Sequence, residues 1–89
     1  MQETRKSLIL HLTKENWQQE LQDANISDLA KEKLRSALNV KLNGMGKMPS
    51  ITEGQFNKIV KQEVFFVKVG KRNFLLSFKK GLMFLKNED

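Results

Sequence analysis

The segment from residue 64 to residue 86 constrains the fold more than any other part of this chain. It contains three short apolar runs separated by turn residues, and five of the six phenylalanines of the chain. Short runs of alternating apolar residues between turn residues are typical of β-strands. We therefore predict an antiparallel β-meander over residues 64–86.

Two tight turns are expected to join the three strands of this meander. With residues 70–73 as a four-residue loop, six large side chains fall on one face of the first hairpin. The predicted pairs are Val69 with Phe74, Val67 with Leu76, and Phe65 with Phe78. A three-residue turn over residues 79–81 is predicted next. A two-residue turn over Lys80 and Gly81 is the alternative, and it would place Met83 and Leu85 on the inner face.

The first 63 residues predict one strand followed by three helices. Residues 6–12 alternate in the manner of a strand. Thr13 is the expected N-cap of the first helix, and Ser27 begins the second. The third helix has the clearest start signal, because Thr52 and Gln55 form a capping box.

These elements predict one α+β domain over residues 1–89, with an antiparallel C-terminal sheet packed on helices. Helices two and three followed by a basic hairpin also allow a winged-helix arrangement, in which helix three enters the major groove. The connection between those helices, about eight or nine residues, is long for a helix-turn-helix. A helix packed across a sheet is the competing arrangement.

Basic charge is concentrated in the predicted meander. The chain has a formal net charge of +6, and residues 64–86 contain six basic residues and no acidic one. Positive turns at a β-rich end indicate contact with a polyanion. We therefore predict a small non-enzymatic regulator or accessory factor that binds nucleic acid, either DNA or RNA.

The expected phosphate contacts come from the two basic turns, from one strand and from helix three. The residues predicted to contact nucleic acid are Lys58, Lys61, Lys68, Lys71, Arg72, Lys79 and Lys80. The strand between the two turns spans roughly 17 Å, so the cations cannot form one compact pocket. They could straddle an extended polyanion instead, and no small-molecule substrate is expected.

The second face of the predicted sheet supports an alternative function. Phe66 and Leu75 alternate onto this face, and Val64, Met83 and Leu85 are expected there too. Such a face is too apolar to be simply solvated. We expect the N-terminal elements to cover it. Otherwise a homodimer partner or a larger protein docks on Phe66 and Leu75, and the protein is an adaptor or inhibitor.

The sequence disfavours base stacking on the sheet. Exposed aromatic side chains on a sheet can bind single-stranded nucleic acid. Most of the phenylalanines, however, fall on the face that must cover the helices, and Phe66 is the exception.

No catalytic constellation is visible in the sequence. The single histidine, His11, has no nucleophile or orienting acid that spacing can identify, and the acidic residues are spread along helices. No grouping has metal-ligand spacing, so no enzyme activity, metal or cofactor is expected. The longest apolar runs are four residues, far short of a membrane span. A cytoplasmic location without membrane association is therefore expected.

Overall fold

The elements follow one another in the order that the sequence predicts. In the computed structural model, which describes residues 8–88, the strands are β1 (Ile9–Leu12), β2 (Phe66–Val69), β3 (Arg72–Lys79) and β4 (Leu82–Asn87). The helices are α1 (Trp17–Gln22), α2 (Asp28–Leu38) and α3 (Glu53–Gln62), and a π-helical turn, Asn39–Asn43, continues α2. The α+β class is confirmed, as a single small domain. Residues 6 and 7 of the predicted first strand lie outside the described range.

The four strands form one mixed sheet in the order β1-β2-β3-β4. β1 pairs with β2 in parallel, whereas β2, β3 and β4 form an antiparallel meander. Two adjacent parallel strands need a crossover connection, and the three helices supply it. The antiparallel C-terminal sheet is thus confirmed, and β1 extends it into a mixed one.

The first hairpin has a shorter turn than predicted. Val69 pairs with Arg72 and Val67 pairs with Phe74, so the turn contains only two residues and the predicted register is wrong by two. Gly70 has a φ of 61°, which suits the first turn position of a type II′ hairpin. A shift by two residues preserves alternation, so the same strand side chains still face inward. Phe65 was wrongly placed inward, since it precedes β2 and is 39% exposed.

The second hairpin also has a two-residue turn, so the predicted three-residue turn is wrong and its alternative is correct. Lys79 pairs with Leu82, and the turn residues Lys80 and Gly81 have φ values of 52° and 78°. Two successive positive φ values are characteristic of a type I′ turn, whose twist matches that of the strands. As a result Met83 faces inward and Phe84 faces outward.

One hydrophobic core lies between the helices and a single face of the sheet. The buried sheet residues are Leu12, Val67, Val69, Phe74, Leu76, Met83 and Leu85. The buried helix residues are Trp17, Leu21, Ala30, Leu34, Ala37, Leu38, Phe56 and Ile59. Val64 is also buried in this core. The prediction that Val64, Met83 and Leu85 lie on the second face is therefore wrong.

Local capping signals locate two of the three helix starts. The Ser27 hydroxyl accepts a hydrogen bond from the Ala30 N–H at 3.1 Å, and both bonds of the Thr52–Gln55 capping box are present. Helix α1 begins later than expected. The Thr13 hydroxyl does accept from the Asn16 N–H at 3.2 Å, but regular helix starts only at Trp17.

The winged-helix arrangement is not confirmed. The C-terminal hairpins belong to one four-stranded sheet that also includes β1, and a π-helical turn and a loop separate α2 from α3. Among residues 8–88, no helix is both long and apolar enough to cross a bilayer.

Candidate binding surface on the open face of the sheet

The face of the sheet opposite the core contains no buried residue within the described chain. We call it the open face. Its residues are Ile9, His11, Phe66, Lys68, Asn73, Leu75, Ser77, Lys79, Leu82, Phe84 and Lys86. The expectation that N-terminal elements cover this face is wrong for the described elements. The helices belong to a single crossover connection, and such a connection lies on one side of a sheet.

Two phenylalanines lie on this face among aliphatic neighbours. Phe66 pairs with Leu75 across β2 and β3, and Phe84 pairs with Ser77 across β3 and β4. The two phenylalanines are therefore two strands and two residues apart. Standard strand spacing and rise put their Cα atoms roughly 12 Å apart. Both side chains are half-buried, so each presents part of its ring to solvent.

The same face carries three lysines. Lys79 and Lys86 are exposed and Lys68 is half-buried, and none of them forms an ion pair with another described residue. No acidic residue lies on β1 to β4 of this face. Glu88 is an acidic residue that directly follows the end of β4. Its backbone N–H donates to the Asn73 carbonyl oxygen at 2.9 Å. The face thus has a net positive charge.

A shallow concavity of about 620 Å³ lies against β3 and β4. Its cationic lining residues are Lys79, Lys86 and Lys41, the last contributed by the π-helical turn. Phe84 and Ser77 also line it, and none of the lining residues is acidic. The concavity lies at the β4 edge of the sheet. Phe84, Lys79 and Lys86 line it from the open face, whereas the Lys41 Nζ lies 5.9 Å from the centroid of the buried Phe74 ring on the core face. An aromatic ring beside two ammonium groups suits an anionic ligand that also has flat apolar parts.

Arg72 has a different environment from the one that the sequence suggested. Its guanidinium carbon lies 5.1 Å from the centroid of the Phe74 ring, and its Nη1 donates to the Lys41 carbonyl oxygen at 3.4 Å. The Phe74 ring is fully buried, so Arg72 covers the edge of the core. Its charge is directed to the helix side of the sheet and away from the open face.

The seven cations predicted to contact nucleic acid do not form one surface. Lys68 and Lys79 share the open face, whereas Lys71 lies beyond the far end of the eight-residue strand β3, whose two ends are roughly 23 Å apart. Lys80 is exposed in the β3–β4 turn. The exposed Lys58 and Lys61 are on α3. This helix packs on the core face of the sheet, where the ring centroids of Phe56 and Phe78 are 5.5 Å apart.

Sequence reasoning missed two residues of the open face and one that borders the concavity at the β4 edge. Lys86 and Phe84 were overlooked because the three-residue turn would have reversed the faces of β4. Lys41 was assigned only to the flank of a helix, and nothing local indicates that it lies near β4. Phe66 and Leu75, the predicted partner-binding residues, do lie on the open face. Their role in binding stays a prediction.

Comparisons with known proteins suggest no function. The chain matches no protein-family model, no curated protein and no solved structure. Within residues 8–88, no group of three or more His, Cys, Asp or Glu side chains could hold a metal ion. The function is therefore inferred from the side chains of the open face.

Proposed function

We propose that this protein is a small non-enzymatic accessory factor that binds single-stranded nucleic acid on the open face of its sheet. The observation that supports this most is the combination of two partly exposed phenylalanines with three unpaired lysines on a face without acidic residues. The proposal covers both DNA and RNA. We also propose that the protein is located in the cytoplasm.

The chemistry of the open face suits a single strand. Bases can stack on exposed aromatic rings, and each such contact contributes roughly 1–3 kcal/mol without depending on sequence. Phe66 and Phe84 would accept two bases. Lys68, Lys79 and Lys86 would neutralise phosphates on either side of them. A paired duplex keeps its bases stacked inside, so it could not use these rings.

This proposal revises the set of residues expected to bind. Lys68 and Lys79 remain in it, and Lys86 joins them. Lys41 is not included, because its Nζ lies over the Phe74 ring on the core face. Lys71 and Lys80, in the two turns, would lie at opposite ends of the bound strand. Lys58 and Lys61 are on the other side of the sheet, so they serve as controls.

The test measures binding of a fluorescently labelled 12-nucleotide single strand by anisotropy at low salt. We expect Phe66→Ala with Phe84→Ala to weaken binding at least tenfold, because two stacking contacts are lost. The matched control, Lys58→Ala with Lys61→Ala, should change the affinity by no more than about twofold. Circular dichroism would show that each variant is folded.

Absence of binding by the native protein would contradict the proposal. An equal loss of affinity in both double variants would also contradict it, since binding would then not be confined to the open face.

A protein partner is the second candidate, and a separate observation favours it. Ile9 and Phe65 are 38% and 39% exposed, and the Phe65 and Phe66 ring centroids are 6.3 Å apart. These residues give the β1–β2 side of the sheet an apolar patch suited to an adaptor. Size-exclusion chromatography with light scattering tests self-association, and Phe66→Ser should abolish a dimer formed through this patch.

A further inference from the structure

A second cavity lies at the carboxyl ends of the two parallel strands. Both β1 and β2 end at the same edge of the sheet, so the loop after β1 and the turn after β2 are neighbours. The Gly70 N–H donates to the Leu12 carbonyl oxygen at 3.0 Å and joins them. The cavity between this edge and the π-helical turn has a volume of about 630 Å³. That volume is typical of small-molecule sites.

The floor of this cavity contains a nearly buried tryptophan with an unused hydrogen-bond donor. Trp17 lines the cavity together with Leu42 and Val69, and it is only 6% exposed. Its indole N–H has no hydrogen-bond partner among the described residues. In residues 8–88, only Asn73 Oδ1 is a fully buried side-chain N or O atom without a partner. Trp17 Nε1 also has no partner, so it is not fully buried and keeps contact with solvent. Trp17 also borders another, smaller cavity beside Asn16 and Gln19. Buried indole N–H groups usually have an acceptor, and a ligand that reached Nε1 would supply one.

The rim of the cavity is positively charged. Lys14 and Lys71 are exposed and form no ion pair with another described residue. Arg72 also lines the cavity, although its guanidinium contacts the Phe74 ring. Glu15 is the single acidic lining residue. Two free ammonium groups above an apolar floor favour a phosphate attached to a flat ring, because a phosphate monoester carries close to two negative charges.

We infer that this cavity binds a nucleoside monophosphate group. The ring would lie on the floor formed by Trp17, Leu42 and Val69, and the phosphate would contact Lys14 and Lys71. The ligand is either a free mononucleotide or the 5′-phosphorylated end of a strand. The site lies outside the open face, because Trp17, Lys14 and Lys71 do not belong to that face. Lys71 alone would also lie at one end of a nucleic-acid strand bound there.

Trp17 is the only tryptophan of the chain, so it reports on the site directly. We would titrate the full chain with AMP and follow both indole fluorescence and the single indole N–H cross-peak in a ¹H–¹⁵N spectrum. We expect a saturable change in both signals. Adenosine and inorganic phosphate should each bind at least tenfold more weakly than AMP.

Two variants and two oligonucleotides complete the test. Lys71→Ala should weaken AMP binding roughly threefold, in line with one exposed charge contact, whereas Lys58→Ala should not change it. If a 5′-phosphorylated oligonucleotide shifts the indole signal and its 5′-hydroxyl counterpart does not, the site takes a strand end. The Phe66→Ala, Phe84→Ala variant should still bind AMP, which separates this site from the open face.

The inference is overturned if neither AMP nor the 5′-phosphorylated oligonucleotide moves the Trp17 signals. It is equally overturned if adenosine moves them as strongly as AMP does, since the cavity would then have no use for a phosphate.

Discussion

Arg72 and Lys71 are adjacent cations with different surroundings. Lys71 is exposed in the two-residue turn between β2 and β3. Arg72 is the first residue of β3, and its side chain covers the buried ring of Phe74 and reaches the carbonyl oxygen of Lys41. Lys71 belongs to the turn and faces solvent, whereas Arg72 is a strand residue on the same face as Phe74, because alternate strand residues share a face. One residue of difference therefore decides whether the charge reaches solvent or covers the core.

We predict that Arg72→Ala lowers the free energy of unfolding by about 1 kcal/mol, because a cation–π contact and the packing of the aliphatic stem are lost. Lys71→Ala should change the same quantity by no more than roughly 0.5 kcal/mol. Urea denaturation followed by Trp17 fluorescence measures both. Equal effects of the two substitutions would mean that Arg72 does not support the core.

At the level of elements, the turn between β3 and β4 decides which side chains β4 presents to the open face. Lys80 is the only non-glycine residue of the described chain with a positive φ, at 52°. L-residues other than Asn and Asp adopt this conformation at a cost of about 1–2 kcal/mol, whereas Gly adopts it freely. The turn nevertheless forms, because it aligns Met83 with Phe78 and Leu85 with Leu76 on the core face.

Replacing Lys80 by Asn should relieve part of this cost, since Asn-Gly is the preferred sequence of a type I′ turn. We expect Lys80→Asn to raise the free energy of unfolding by roughly 0.5 kcal/mol. Gly81→Ala is the opposing control and should be destabilising, because Gly81 has a φ of 78°. Thermal denaturation of the two variants beside the native protein gives the comparison. A destabilising Lys80→Asn would contradict the turn type.

At the scale of the whole molecule, the fold separates its exposed charges. All three helices pack on one side of the sheet, so the lysines of α3 and those of the open face point in different directions. A single strand could therefore reach only one of these groups at a time. The net charge of +6 describes the chain, but the affinity for a strand would depend on the subset of cations on one face.

The number of phosphate contacts can be counted from the salt dependence of binding. The three lysines on the open face should give a log–log slope of affinity against salt of roughly −2 for a single strand. Phe66→Ala with Phe84→Ala should lower the affinity and leave this slope unchanged, because stacking releases no counterions. Anisotropy titrations between 50 and 200 mM salt measure the slope. A flat response would remove the nucleic-acid proposal and favour the protein partner.

The sequence by itself determined the features that depend on neighbouring residues. The order of strands and helices follows from hydrophobic periodicity, and the starts of α2 and α3 follow from Ser27 and from the Thr52–Gln55 capping box. The alternation of Phe66 and Leu75 onto the second face was also predictable, because the side-chain period of a strand is two. These signals act over a few residues and hold in any compact arrangement.

Tertiary structure alone decided the turn lengths, the side on which the helices pack, and the surroundings of Arg72, Lys41 and Trp17. Four-residue and two-residue loops preserve the same alternation in the first hairpin, so the hydrophobic pattern cannot distinguish them. The twist of the paired strands favours the two-residue turns. The open face and the cavity beside Trp17 exist because one crossover connection places the helices on a single side of the sheet. That placement brings together residues that are far apart in the chain, such as Lys41 with Lys86 and Lys14 with Lys71.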